Sequence, residues 1–316
     1  MDLRQLRYFT RIVELESITA AAETLHIAQP SLSQHVANLE NELETQLLLR
    51  GPAGVRATDA GKLLYRHAKM VLRQVEEAKS ALKHGRDTPA GHVTIGLPTS
   101  TSRVLALPLI EAVAEHYPEV LLEIIEGSSA DLAVAVSLHR MDIAVAMDVQ
   151  PQPTRMTTTP LLMESLYLVG PDLGLEAITL QQMAELPLVL PSFPNSVRVL
   201  AARALAEQAL SVNLIAETSA VSVLLALARA GRGWTVLPAS AAVGPEADAD
   251  QVAFTPIADQ SFNRRVSVCM SLSAEKSGVC THIHRMLIEV ARNLVQTKRW
   301  AGVTWLADAG HRAARM

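Results

Sequence analysis

Residues 17–43 read SITAAAETLHIAQPSLSQHVANLENEL. Ser17 suits a helix N-cap, because its hydroxyl accepts a backbone N–H that the first turn leaves unpaired. Ile18, Ala21, Ala22 and Leu25 then fall on one helical face. His26, Ile27 and Ala28 make a tight turn. Pro30 suits the first position of the next helix, where its missing N–H costs nothing. That helix repeats Leu32, Val36, Leu39 and Leu43 on its inner face. Ser31, Gln34 and Asn38 project from the opposite side, flanked by Pro30 and Ser33. Small hydroxyls and amides let a helix lie deep in the DNA major groove, where Gln and Asn bond adenine at two points. A polar row opposite a leucine stripe also suits a merely solvated face. The preceding helix and turn favour DNA.

The flanking sequence extends this unit. Leu3, Leu6, Phe9 and Val13 share a face of an earlier helix. After the pair comes LLLRGPAGVRAT, residues 47–58, in which Gly51, Pro52 and Gly54 separate two short apolar runs. A small hairpin, or wing, is expected. Thr58 then caps a helix running to about His84, about 40 Å long at about 1.5 Å per residue. Leu64, Ala68, Val71, Val75, Ala78 and Leu82 form a heptad seam along it, with no obvious partner in the first domain. A second copy of the chain is the simplest partner; the other reading lays the helix on its own domain.

Gly85 to Gly91, GRDTPAG, breaks this helix and forms a hinge. Beyond it HVTIGL, VLLEIIE, DIAVAM and LYLVG are short β-rich runs, separated by helical stretches at 103–116 and 129–139. Further runs near 187–191, 213–217, 234–238 and 265–272 continue the alternation. Strands alternating with helices indicate an α/β domain with parallel sheets. The tail from Thr297, Ala-rich with two tryptophans, carries no assignable role.

The chain has a net charge of −4, which argues against a nucleic-acid binder. Its distribution is more informative: residues 1–86 carry a balance of +2 and residues 87–316 one of −6. The basic bias is mild and sits with the helix pair. No long charge-free apolar stretch predicts a membrane span. Asp2, Glu14 and Glu16 interrupt the N-terminal run, so no export signal is expected and the cytoplasm is the expected location. Cys269 and Cys280 fit a reducing compartment and core packing better than redox sensing. No Walker loop, GxSxG, HExxH or GxGxxG is present, and His282 and His284 diverge on a helix, so neither an enzyme nor a metal or other cofactor is expected. An exported solute-binding protein would leave residues 1–86 unexplained.

Residues 17–34, together with Leu39-Glu40, Leu47 to Arg50 and Thr58-Asp59-Ala60-Gly61, resemble the helix-turn-helix of LysR-type transcriptional regulators over about 60 residues. Pro160-Leu161-Leu162, Glu164 to Val169 and Gly231 to Pro238 resemble the same family's effector domain. The N-terminal half is most similar to the nitrogen assimilation control subgroup. The resemblance implies a winged helix-turn-helix at 1–58, a linker helix and hinge at 59–90, and an effector-binding domain at 91–296, followed by a tail at 297–316. The effector domain would be α/β and two-lobed, like periplasmic solute-binding proteins, with lobe one at 91–160 plus 267–296 and lobe two at 161–266.

The resemblance also implies roles. Gln29, Pro30, Ser31, Ser33, Gln34 and Asn38 would face the major groove, Thr19 the backbone, and Arg50 phosphate or the minor groove beside the wing. The family's wing often carries more basic residues where this chain has Gly51, Pro52 and Ala53, unless Arg56 compensates. The linker helix would pair two chains, giving a homodimer and then a homotetramer on promoter DNA. RNA polymerase stands as a candidate further partner, and a membrane as none. A small carboxylate-bearing effector would bind between the lobes, near Thr99, Ser100, Thr101, Ser128 and Ser129 in lobe one and Ser192, Phe193, Asn195 and Ser219 in lobe two. The competing account of those residues is ordinary capping. Some relatives act without any small ligand.

Overall fold

The computed structural model describes residues 1–51, 54–84, 89–242, 252–259 and 261–306. The expectations for Pro52, Ala53, the first part of the hinge at 85–88 and the tail beyond 306 lie outside them.

Three helices and a hairpin build the head. They are α1 (Leu3–Leu15), α2 (Ile18–Thr24), α3 (Gln29–Glu42), β1 (Leu48–Gly51) and β2 (Gly54–Ala57). Ser17 caps α2 as expected, its hydroxyl accepting the Ala20 N–H. Pro30 sits one residue later than expected, because Gln29 already begins α3. Phe9, Ile12, Leu32 and Leu39 are fully buried and make the small core. Two expected core residues are not in it: Leu3 is 43% exposed and Leu43, which caps the end of α3, 37% exposed. Glu40 ties the hairpin to α3 by accepting the backbone N–H groups of Leu47 and Leu48.

Helix α4 (Asp59–His84) follows, capped by the Thr58 hydroxyl, which accepts the Gly61 N–H at 2.9 Å. A Cβ on Gly61 would lie 2.1 Å from the Leu47 carbonyl oxygen, so only glycine lets α4 start this close to the wing. The seam is partnered at its start. Leu64 packs on the head's core, and Ala68 is buried, as is the neighbouring Tyr65. Farther along, Val71 is 43% exposed, Val75 half-buried and Ala78 exposed. The side chain of Leu82 lies outside the described part.

The remaining domain has two lobes. Lobe one holds β3 (Gly91–Leu97), α5 (Thr99–His116), β4 (Val120–Glu126), α6 (Ser129–Ser137) and β5 (Ile143–Met147). Strand β6 (Met156–Gly170) crosses to lobe two. There follow α7 (Leu180–Glu185), β7 (Leu188–Leu190), α8 (Ser196–Glu207), β8 (Leu214–Glu217), α9 (Val221–Arg229), β9 (Thr235–Pro238) and β10 (Ala253–Pro256). Strand β11 (Asn263–Ser271) returns to lobe one, which α10 (Leu272–Glu275) and α11 (Gly278–Gln296) complete. β3 pairs in parallel with β4 and β5, and β7 with β8, as the alternation implies. The crossing strands β6 and β11 run antiparallel instead. Each lobe has its own apolar core. Leu161, Leu162 and Val266, on the crossing strands, belong to that of lobe one.

The tail is part of the fold. Trp300 is buried in the core of lobe one, and β12 (Val303–Trp305) pairs antiparallel with β6.

Ion pairs tie these parts together: Glu14 of α1 accepts from Lys69 of α4 at 2.9 Å, Arg73 of α4 pairs with Asp142 beside β5, and Arg140 of lobe one reaches Glu16 of the head at 3.2 Å. Burial, the largest single influence, pushes the Glu14 carboxyl up, but Lys69 and Arg11 together hold it below its ordinary range.

Candidate functional site

Two surfaces carry the chemistry. On the head, Thr19, Gln29, Pro30, Ser31, Gln34 and Asn38 are exposed and Ser33 is half-buried. Gln29 donates to the Ser33 hydroxyl at 3.0 Å, and Gln34 to the Asn38 carbonyl at 2.9 Å. The Gln34–Asn38 pair lies opposite the buried Leu32, Val36 and Leu39, whereas the Gln29–Ser33 pair lies beside that stripe at the start of α3.

Arg50 and Arg56 are both exposed, on β1 and β2. The hairpin register pairs Arg50 with Val55 and Leu49 with Arg56. Residues directly across an antiparallel pair share a face and successive residues alternate, so the two arginines point to opposite faces.

Between the lobes lies a cleft of about 630 Å³. Thr99, Ser100, Ser128, Ser129, Ser192, Phe193, Asn195 and Ser219 all line it, whereas Thr101 does not. Thr101 is fully buried, and its hydroxyl has no hydrogen-bond partner. The N-termini of α5, α6 and α8 all open on the cleft. Some of these side chains have local work: Ser128 caps α6, Asn195 caps α8, and the Ser129 hydroxyl accepts the Met147 N–H. Val134, Val149, Val221, Leu224 and Leu237 give the cleft apolar walls. Arg198 stays off the lining, engaged by Glu217 at 3.1 Å and lying over the Phe193 ring.

Sequence reasoning missed Arg264. It lies on the cleft floor, 5% exposed, where β11 leaves lobe two. Its guanidinium donates to Glu164 of β6 at 2.8 and 2.7 Å, to Ser196 at 3.0 Å and to Ser100 at 3.4 Å. Ser100 belongs to lobe one and Ser196 to lobe two, so one side chain spans the hinge. The available signal was a charged pair, Arg264-Arg265, leading into an apolar strand.

The thiol of Cys269 is pushed up to about 11 by burial. Among the described residues no group of His, Cys, Asp and Glu is placed to hold a metal ion, and no helix is long and apolar enough to cross a membrane.

Both parts of the chain match known proteins. The bacterial regulatory helix-turn-helix model of the lysR family matches residues 3–62, and the LysR substrate binding domain matches residues 86–292. Over 244 residues the chain is 41% identical to the nitrogen assimilation regulatory protein nac of Klebsiella aerogenes, covering 77% of this chain and 80% of that one. The Escherichia coli (strain K12) protein of the same name is 39% identical over the same shares. A full-length OxyR variant from Pseudomonas aeruginosa superposes with a TM-score of 0.72 at 22% identity, covering 92% of this chain and 95% of that one. Full-length BenM gives 0.56 at 24%, covering 96% and 99%. At such identities the two structures establish the fold alone. The sequence relatives are regulators of transcription, not enzymes. The chain belongs to the LysR family of bacterial transcription regulators, with a helix-turn-helix head and a substrate-binding domain.

Proposed function

We propose that α3 reads promoter DNA through Gln29, Pro30, Ser31, Ser33, Gln34 and Asn38, with Thr19 and Arg50 on the backbone. One observation carries this reading: Ser31, Gln34 and Asn38 make an exposed polar face of α3 opposite the buried Leu32, Val36 and Leu39. Arg50, a permanent planar cation, suits a phosphate or the minor groove beside the wing. Val71, Val75 and Ala78 of α4 remain available for a second copy, so the working species is a homodimer, assembling further to a homotetramer. Footprinting with Gln34→Ala and Arg50→Ala tests the reading. The first relaxes sequence preference, and the second weakens binding to every sequence.

The cleft takes a small carboxylate-bearing effector. Three helix N-termini, each with partial positive charge, support an anion there, and the apolar walls support a short hydrocarbon body. A second reading, regulation without a small ligand, is favoured by Arg264. Its charge is already neutralised by Glu164, and it already bridges the lobes. A thermal-shift screen of organic acids separates the two. A ligand at 100 times its dissociation constant adds about 2.7 kcal/mol of stability. The absence of any shift favours the ligand-free reading.

A further inference from the structure

The segment after α11 lies beyond the residues that match the substrate-binding domain, which end at 292. It nevertheless touches both lobes at the hinge. Trp300 is 1% exposed within the core of lobe one, and its indole N–H donates to Glu164 Oε1 at 3.4 Å. Ser240 of lobe two donates to the same oxygen at 2.9 Å. Gly302 has φ +69° and lies against Tyr167 and Ala239; a Cβ there would be 2.9 Å from the tyrosine hydroxyl. Strand β12 then pairs Val303 with Glu164, Thr304 with Met163 and Trp305 with Leu162. Backbone bonds from Ser165 to Gly302 and from Leu306 to Leu161, 2.8 and 2.9 Å, extend the ladder on both sides. Arg292 covers the Trp305 ring.

We propose that residues 297–306 are a strap that fixes the angle between the lobes, with Trp300 as the positioning residue for Glu164. The wiring is continuous. Trp300 and Ser240 hold one carboxylate oxygen of Glu164, the other holds Arg264, and Arg264 holds Ser100 of lobe one and Ser196 of lobe two. A strand added along β6 at the crossover also stiffens the segment that must bend when the lobes move. The strap concerns lobe geometry alone. Its consequence for DNA rests on the reading above, that the lobes carry the regulatory signal.

The test is a distance measurement in the full chain. Nitroxide labels on cysteines introduced at Glu115 of lobe one and Ala206 of lobe two, both exposed, report lobe separation by pulsed electron spin resonance. Labelled protein is diluted with excess unlabelled chain, so that distances between copies do not contribute. Trp300→Phe keeps the buried ring and removes the N–H. Thr304→Pro removes a ladder N–H at an exposed position of β12, and Thr304→Val keeps it. Trp300→Phe and Thr304→Pro shift the distribution to wider and broader separations, while Thr304→Val leaves it unchanged. Unchanged distances in Trp300→Phe, or in a Thr304→Pro protein shown by circular dichroism to be folded, overturn the strap. Shifted lobes with unaltered DNA binding leave the strap standing and count against the regulatory reading.

Discussion

Arg264 of β11 and Glu164 of β6 form an ion pair 2.7 Å apart at the hinge, with their side chains 5% and 0% exposed. Taking two charges out of water is costly, and the remaining bonds to Ser100, Ser196, Ser240 and Trp300 offset that cost. Removing one partner leaves the other charge buried and unpaired. Glu164→Gln therefore destabilises the chain by about 3–5 kcal/mol. Replacing both residues with methionine costs much less stability but still loses the inter-lobe bridge. Urea unfolding of the two variants, with lobe separation measured alongside, checks both halves of this expectation.

The wing divides its two arginines. Removing one cationic side chain from a phosphate lowers the slope of log affinity against log salt by about 0.9. Arg50→Ala flattens the slope by about that amount on any duplex. Arg56→Ala, on the opposite face of the hairpin, leaves it near the wild-type value. Fluorescence anisotropy across a salt series distinguishes them, and equal effects would place both arginines on one DNA surface.

His139 supplies a pH dependence. Burial, then the charges of Arg66, Arg73 and His67, lower its pKa from 6.5 to about 4, so the folded chain keeps it neutral. Its ring meets the Ser273 hydroxyl at 3.0 Å. The unfolded chain binds this proton more readily, so the stability tied to the neutral ring is present above pH 6.5. It is lost as pH falls toward 4. His139 also has φ 58°, a conformation that asparagine tolerates. His139→Asn therefore shows a flatter stability curve between pH 6.5 and 4 than wild type, read from urea midpoints. Parallel curves would remove His139 from the linkage.

Gly61 fixes how α4 leaves the wing. A Cβ 2.1 Å from the Leu47 carbonyl oxygen cannot be accommodated without moving backbone. Gly61→Ala lowers the melting temperature of the full chain and loosens the first turn of α4, whereas Gly51→Ala, with open space around it, does not. Hydrogen exchange at the Gly61 position and its neighbours reports the loosening directly.

The head was legible because its elements are local. Ser17, the His26–Ala28 turn and the helical spacing of Leu32, Val36 and Leu39 specify two helices within one short window. Most strands of the larger domain were visible as short apolar runs, but β10 and β12 were not. Long-range relations were not. Nothing in the linear order shows that Arg264 reaches Ser100, 164 positions away, or that Trp300 reaches Glu164. The heptad seam misled at its start, because Leu64 and Ala68 fit a dimer and the chain's own head equally well. Thr101 follows Thr99 and Ser100, which line the cleft, and a hydroxyl at a helix start gives no sign in the sequence of which way it points. Leu3 and Leu43 kept the right spacing but fell at element ends, where the core stops.

Regulation at a chosen promoter depends on α3 reading sequence. The most direct test of that reading is the binding of the full chain to the promoter beside its own gene and to a scrambled duplex at the same salt, with wild type and Gln34→Ala. Specific protein–DNA complexes are about 10³-fold or more tighter than non-specific ones. A ratio of that size is expected for wild type, with a collapse toward equal affinities for Gln34→Ala. Equal affinities for both duplexes with the wild-type chain on every candidate promoter, or an unaltered ratio in Gln34→Ala, would contradict it.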